Sequence, residues 1–266
     1  TTRVETVECE AAIQFPRLGW AAAGDPSYLA AARELDGSFA LYGLDTRGAS
    51  TFRVPLPARG HAGAGHPSLA EAVAFARRPG LFALVLDCAR GDVLHHLTPP
   101  DGRQFNGHGV FSADGATLFT SEQRSDISEG VIGVWDARAG YSRYDEFPSG
   151  GIGPHDLRLM PNGDTLVVAN GGIATDPLSG SIREQVELEA ELRRNSIRHL
   201  AMRSDGLVGF AMQWEGEPSA ATPLLGLHRL GETPVLAEAP LADELAMQGY
   251  AGSVAFSGAG HEIAIT

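Results

Sequence analysis

Between Phe105 and Ile173 one pattern is written twice, and it limits the folds open to this chain more than any other feature. FNGHGVFSADGATLFTSE and GIGPHDLRLMPNGDTLVVANGGI each begin with a Gly-flanked histidine, His108 or His155. Each then runs through a short apolar segment, turns at Asp114-Gly115 or Asn162-Gly163, and returns as a second apolar segment. Asp-Gly and Asn-Gly between apolar runs favour the positive φ of tight hairpin turns, so each copy reads as an antiparallel strand pair. Between them GVIGVWDARAGYSRYDEF reads as a further pair. A hairpin repeated at intervals along a chain signals a repeat architecture.

The same ruler extends in both directions. Small turns are expected at Gly37, Gly80, Gly115, Gly163, Gly206 and Gly260. Their spacing scatters around the roughly 40 to 50 residues of a four-stranded propeller blade. Each inner hairpin is followed by outer-strand text with an acidic residue and a glycine at its turn: LYGLDTRGASTFRVPLP, LVLDCARGDVLHHLTPP, GVWDARAGYSRYDEFP and DPLSGSIREQVELEAEL. In the last of these Val186, Leu188, Ala190 and Leu192 alternate with Glu187, Glu189 and Glu191, a period of two that predicts a strand with one acidic face. Two Ala-rich segments compete with this reading. Ser68–Ala76 has helical propensity but contains Ala74–Arg77, where the ruler places an inner strand, so it is read as strand; for Ser27–Leu35 the propensities leave helix and strand open.

The expected fold is therefore all-β, a β-propeller of four-stranded blades, with residues 1–266 forming one domain. The last ruler stops after two strands at Thr266, so the final blade is expected to be incomplete, because an open ring would leave sheet edges unpaired.

Composition narrows the function. The net charge is −13, from 33 acidic against 20 basic residues, which argues against nucleic acid or an anionic membrane as partner. All 20 basic residues are arginine, which excludes a Schiff-base lysine and a Walker-type phosphate loop. No apolar run reaches the roughly 18 residues of a membrane span, so no membrane insertion is expected. Cys88 follows the apolar ALVLD and reads as a buried, inert thiol in preference to a disulfide with Cys9. Trp20, Trp135 and Trp214 read as packing between blades.

Histidine placement supplies the candidate site. His66, His108, His155 and His199 fall at or just before expected inner strands, where propellers most often present ligand-binding loops, and His61 in RGHAGAGH could reach the same rim. Asp156, Arg198 and Glu122 lie beside them in sequence or at the end of the paired strand. Imidazole with carboxylate is a ligand set for transition metals. The expected ligand-binding set is His66, His108, His155, Asp156, Arg198, His199 and Glu122. His108, His155 and His199 are the candidate metal ligands; the cofactor is left open by the sequence, with a transition metal ion as the candidate. The competing reading gives each histidine a private hydrogen-bond role in tying strands to loops. His95, His96, His228 and His261 read as surface, and the polar QRSDISEGVIG lacks EF-hand spacing. No nucleophile elbow, haem-attachment motif or dinucleotide fingerprint is present.

RGHAGAGHPSLAEAVAFARRPG, GRQFNGHGVFSADG, GVIGVWD, GIGPHDLRLMPNGDTLVVANGGI, SIRHLA and GSVAFS together resemble the bacterial family called domain of unknown function 1513, from about Leu41 to Thr266. The resemblance implies a seven-bladed propeller exported to the periplasm through a twin-arginine or similar signal. It also implies a place beside imelysin-like iron-regulated proteins and a dihaem thiol-oxidoreductase-like protein. Two departures stand out: the family carries a longer loop where PLSGS follows GGIATD, so a segment near residues 173–179 is expected to be missing, and it continues past IAIT. The leading expectation is a non-enzymatic periplasmic propeller that binds a ligand, a metal ion among the candidates, or docks a periplasmic protein partner at its channel face in an iron-linked system. The alternatives are a lactonase-like hydrolase, with His155 or His199 as base and Arg198 stabilising an oxyanion, and a purely structural interaction platform.

Overall fold

The computed structural model describes residues 28–126, 129–170, 173–175, 182–192, 194–217 and 222–266. The chain divides into two compact units, residues 1–127 with 133–146 and residues 128–132 with 147–266, each described separately below.

The first unit begins with β1 (Tyr28–Arg33), β2 (Phe39–Leu44) and β3 (Ser50–Leu56), a three-stranded antiparallel sheet in chain order. The Ala-rich segment whose propensity left helix and strand open is thus strand β1: its register with β2 supplies the ladder bonds that alanine propensity alone does not anticipate. β4 (Gly60–Gly65), β5 (Glu71–Ala76), β6 (Ala83–Asp87) and β7 (Asp92–Leu97) form the next sheet, again in chain order. β8 (Arg103–Phe111), β9 (Thr117–Arg124), β10 (Glu129–Asp136) and β11 (Ser142–Ile152) form a third, and the division between units falls within β10 and β11.

The second unit contains β12 (Leu157–Leu159), β13 (Leu166–Val168), β14 (Ile173–Thr175) and β15 (Ile182–Gln185), then β16 (Asn195–Met202), β17 (Val208–Trp214), β18 (Leu225–His228) and β19 (Val235–Ala237), both four-stranded sheets in chain order. A short helix α1 (Leu241–Ala246) leads to the pair β20 (Val254–Phe256) and β21 (Ile263–Ile265). Asp243 and Glu244 in its first turn suit the positive end of the helix dipole. These are the four-stranded blades of an all-β propeller. Among the described residues no helix is long and apolar enough to cross a membrane.

Alternation along a strand explains how the second strands β5 and β17 are buried on both faces. On β5, Val73 and Phe75 join Val85, Phe105, Phe111, Leu118 and Trp135 in one cluster, while Ala74 and Ala76 join Leu41, Val54, Phe82 and Leu84 in another. On β17, Val208, Phe210 and Met212 pack with Ile197 and Leu200, while Ala211 turns toward Leu224, Ala251 and Val254. Period two thus sends successive side chains into opposite inter-sheet layers, and a sheet covered on both faces reads as a continuous apolar run. Burying a side chain such as Phe75 contributes about 1.5–3 kcal/mol.

The first strands of neighbouring blades lie side by side: β4 beside β1 and β8 in the first unit, β16 beside β12 and β20 in the second. The turns after these strands fall at the glycines the ruler marked, with Gly115 at φ 72° and Gly163 at φ 76°, a backbone region that penalises any Cβ. One mark is wrong. Gly80 lies between β5 and β6, not after a first strand, because the β4–β5 turn is made by His66–Ala70 without a central glycine. Consequently β5 is the second strand of its blade, and β4 is the inner one. A second correction concerns Val186–Leu192. β15 ends at Gln185, residues 186–189 form no ladder, and Ala190–Leu192 is a single 3-10 turn. Leu188 still packs on the Ile197–Met212 cluster, so the alternation records burial without strand pairing.

Candidate histidine sites on the inner strands

Three inner strands are irregular where they carry a histidine. Register shifts between Gly60 and Gly63 in β4, between Phe105 and Gly109 in β8, and between Ile197 and His199 in β16. Such bulges re-aim side chains and interrupt the ladder. His155 lies two residues before β12.

In the first unit the β8 bulge holds Asn106, Gly107 and His108. The ladder is broken there, and the Ser121 hydroxyl satisfies both backbone groups of His108: it accepts from the amide at 3.2 Å and donates to the carbonyl at 3.0 Å. Buried backbone groups need such partners, so Ser121 fixes His108 where pairing with β9 cannot. Gly107 adopts φ 103°, and the imidazole of His61 packs against the place where its Cβ would be. Only glycine meets both demands. The result is a pair of perpendicular imidazoles, His61 from β4 and the buried His108 from β8, with ring centres 4.8 Å apart and planes at 85°.

His66 stands at the other end of β4 from His61 and does different work. Its Nδ1 accepts from the amides of Ser68 at 3.1 Å and Leu69 at 3.0 Å, and its Nε2 lies 3.0 Å from the Gly115 carbonyl. Both ring nitrogens are thus engaged in closing the β4–β5 turn and tying it to the β8–β9 turn. Burial pushes its pKa below the ordinary histidine value, with the Gly115 bond opposing. Glu122 is likewise committed: fully buried, it accepts from Thr120 Oγ1 at 2.6 Å and from Arg143 at 2.9 Å. The bare Cα of Gly133 leaves room for its carboxylate. Burial raises the Glu122 pKa and the Arg143 charge opposes that rise. Arg143 also bonds Glu146 at 2.8 Å, which in turn pairs with Arg103, so the carboxylate sits at the buried end of a four-residue ionic chain.

In the second unit His155 and His199 form a similar pair, with ring centres 4.9 Å apart and planes at 84°. Asp156, 1% exposed, clamps the two strands that present them. Its carboxylate accepts from the amides of Leu157 at 2.8 Å and Leu200 at 3.0 Å, and pairs with Arg158 at 3.2 Å. Arg158 returns a bond to the Leu200 carbonyl at 3.1 Å. Arg198 donates to Gln213 at 2.8 Å and Glu215 at 3.2 Å.

The structure therefore brings His155 together with His199 and gives His108 the partner His61, while His66, Glu122, Asp156 and Arg198 hold strands and turns. For His61, the glycines beside it on β4 were the available sequence signal for a bulge. Ser121 carries no local mark at all. Cys88 is wholly buried beyond β6, its thiol pushed up to about 12 by burial, as expected of an inert thiol. Trp135 is buried between blades and donates to Thr120 at 2.9 Å. Cys9 and Trp20 lie outside the described residues, as does most of the segment near 173–179.

The separations of the pairs have a chemical meaning. With an ion about 2.1 Å from each coordinating nitrogen, its distance to each ring centre is about 3.2 Å. Two imidazoles on one ion then have centres about 4.5 Å apart in right-angled coordination and about 5.2 Å apart in tetrahedral coordination. Both observed pairs fall inside that interval.

No curated protein matches the chain. Among solved structures it is similar to Kuenenia stuttgartiensis hydrazine synthase, with TM-score 0.69 and 17% identity over 99% of this chain and 75% of that one. The β-propeller domain of Myceliophteria thermophila Cps50 (Swd1) gives 0.64 and 15% over 89% and 75%. A chain of the Mitotic Checkpoint Complex gives 0.62 and 12% over 90% and 73%. At these identities the likeness establishes the propeller fold alone. The model of the family described as protein of unknown function (DUF1513) matches residues 54–181 and 176–266, and the chain belongs to that family.

Proposed function

We propose that this protein is a periplasmic β-propeller that binds a transition metal ion through histidines on or just before its inner strands, without catalysing a reaction. The observation that carries the reading is the His155–His199 pair, whose ring centres at 4.9 Å match the separation of two imidazoles on one ion. The Asp156 clamp supports it, since a ligand pair is useful only when its supporting strands are held in place. The hydrolase alternative has less support, because Arg198 is occupied by Gln213 and Glu215. The periplasmic location and the iron-linked setting rest on the family resemblance of the sequence motifs.

The test is elemental analysis of protein isolated without chelator from fractionated cells, with zinc and nickel titration of the stripped protein. The expected result is a first-row transition metal bound by the wild type, with measurably less of it bound by the His155→Ala, His199→Ala variant. A wild type that carries no metal and takes up neither ion would refute the reading and leave the histidines as scaffold.

A further inference from the structure

We infer that His61, together with His108, forms a metal-binding pair in the first unit, selective for ions that prefer nitrogen ligands, such as Zn²⁺, Ni²⁺ and Cu²⁺. This rests on the proposed metal-binding function and deepens it: it names a ligand on β4 and sets His66 aside. His61 stands at a bulge of β4, His108 at a bulge of β8, and their ring centres lie 4.8 Å apart. One ring nitrogen of each lies within 4.8 Å of the other, close enough for the two to converge on a shared ion. The two residues are prepared differently. His108 is fixed, with its backbone bonded at both groups by Ser121, while the ring of His61 rests against the bare Cα of Gly107. Two imidazoles without a carboxylate disfavour Mg²⁺ and Ca²⁺, which require oxygen ligands.

The experiment titrates the stripped full chain with Zn²⁺ and with Ni²⁺, comparing wild type with His61→Phe, His61→Ala, His108→Ala, the His61→Ala, His108→Ala double variant and His66→Asn. His61→Phe keeps a ring against Gly107 but removes both nitrogens, which separates ligation from packing. The expected result is two binding events in the wild type, of which one weakens at least tenfold in each His61 and His108 variant while the other is kept, a double variant no worse than the weaker single one, and no change in His66→Asn. Mg²⁺ at the same concentrations should not compete. Metal binding that survives His61→Phe and His61→Ala unchanged would overturn the inference while leaving the proposed function intact. A wild type that binds neither ion would overturn both.

Discussion

Replacing Asp156 by alanine tests whether the clamp between β12 and β16 is a principal tie of the second unit. The carboxylate is 1% exposed and accepts from two backbone amides, Leu157 and Leu200, besides pairing with Arg158. Truncation leaves both amides without their acceptor, at about 1–3 kcal/mol for each buried unsatisfied donor. Arg158 loses a partner but is partly exposed and keeps its bond to the Leu200 carbonyl, so its share is below about 1 kcal/mol. The expected loss is about 3–5 kcal/mol, a large part of the roughly 5–15 kcal/mol that holds a typical domain folded. Asparagine keeps one acceptor oxygen and should lose about 2 kcal/mol. Urea unfolding of wild type and both variants gives the free energies, and hydrogen exchange at the Leu200 amide locates the effect: it should exchange faster in the alanine variant. A loss under about 1 kcal/mol with Leu200 still protected would show that packing in the Ile197–Met212 cluster, not the carboxylate, holds these strands.

Three further outcomes follow from the same bonds. Arg143→Met strips the counter-charge from the fully buried Glu122 and should cost about 3–5 kcal/mol by thermal or urea unfolding at neutral pH. Adding Glu122→Gln should recover most of it, and the deficit of the single variant should shrink as acid protonates a carboxyl whose pKa burial already raises. His66 has its folded pKa lowered, so the unfolded chain takes up the proton first; its contribution is present above about pH 6.5 and lost as pH falls below that value. The stability difference between wild type and His66→Asn should therefore narrow between about pH 7.5 and 5.5, and a constant difference would contradict the assignment. Gly107→Ala introduces a Cβ at φ 103° against the His61 ring, with an expected cost of about 1–3 kcal/mol. Zinc uptake should fall in that variant even where it remains folded.

The legibility of this chain differs sharply between fold and site. Asp114-Gly115 and Asn162-Gly163 announced their hairpins because a positive φ is a local demand that only a few residues meet, and the structure uses both as turns. The β4–β5 turn was misread because His66 makes it through side-chain bonds to Ser68 and Leu69, a solution with no glycine to mark it. The strand expected over Val186–Leu192 failed for a related reason: period two records which side chains are buried, and pairing also needs a neighbouring strand in register.

The sequence by itself determined the all-β class, the four-stranded blade and the family, because each depends on short-range patterns: turn residues, alternation and spacing. It also placed histidines at the inner strands. Only the tertiary structure decided which of them meet. His61 joins His108 and His155 joins His199 across strands 47 and 44 residues apart in the chain, through bulges whose position depends on the facing strand. The buried bonds of Asp156, Glu122 and His66 are likewise non-local. A side chain's role as ligand or as tie is set by what faces it once the sheets have packed, and no local pattern records that.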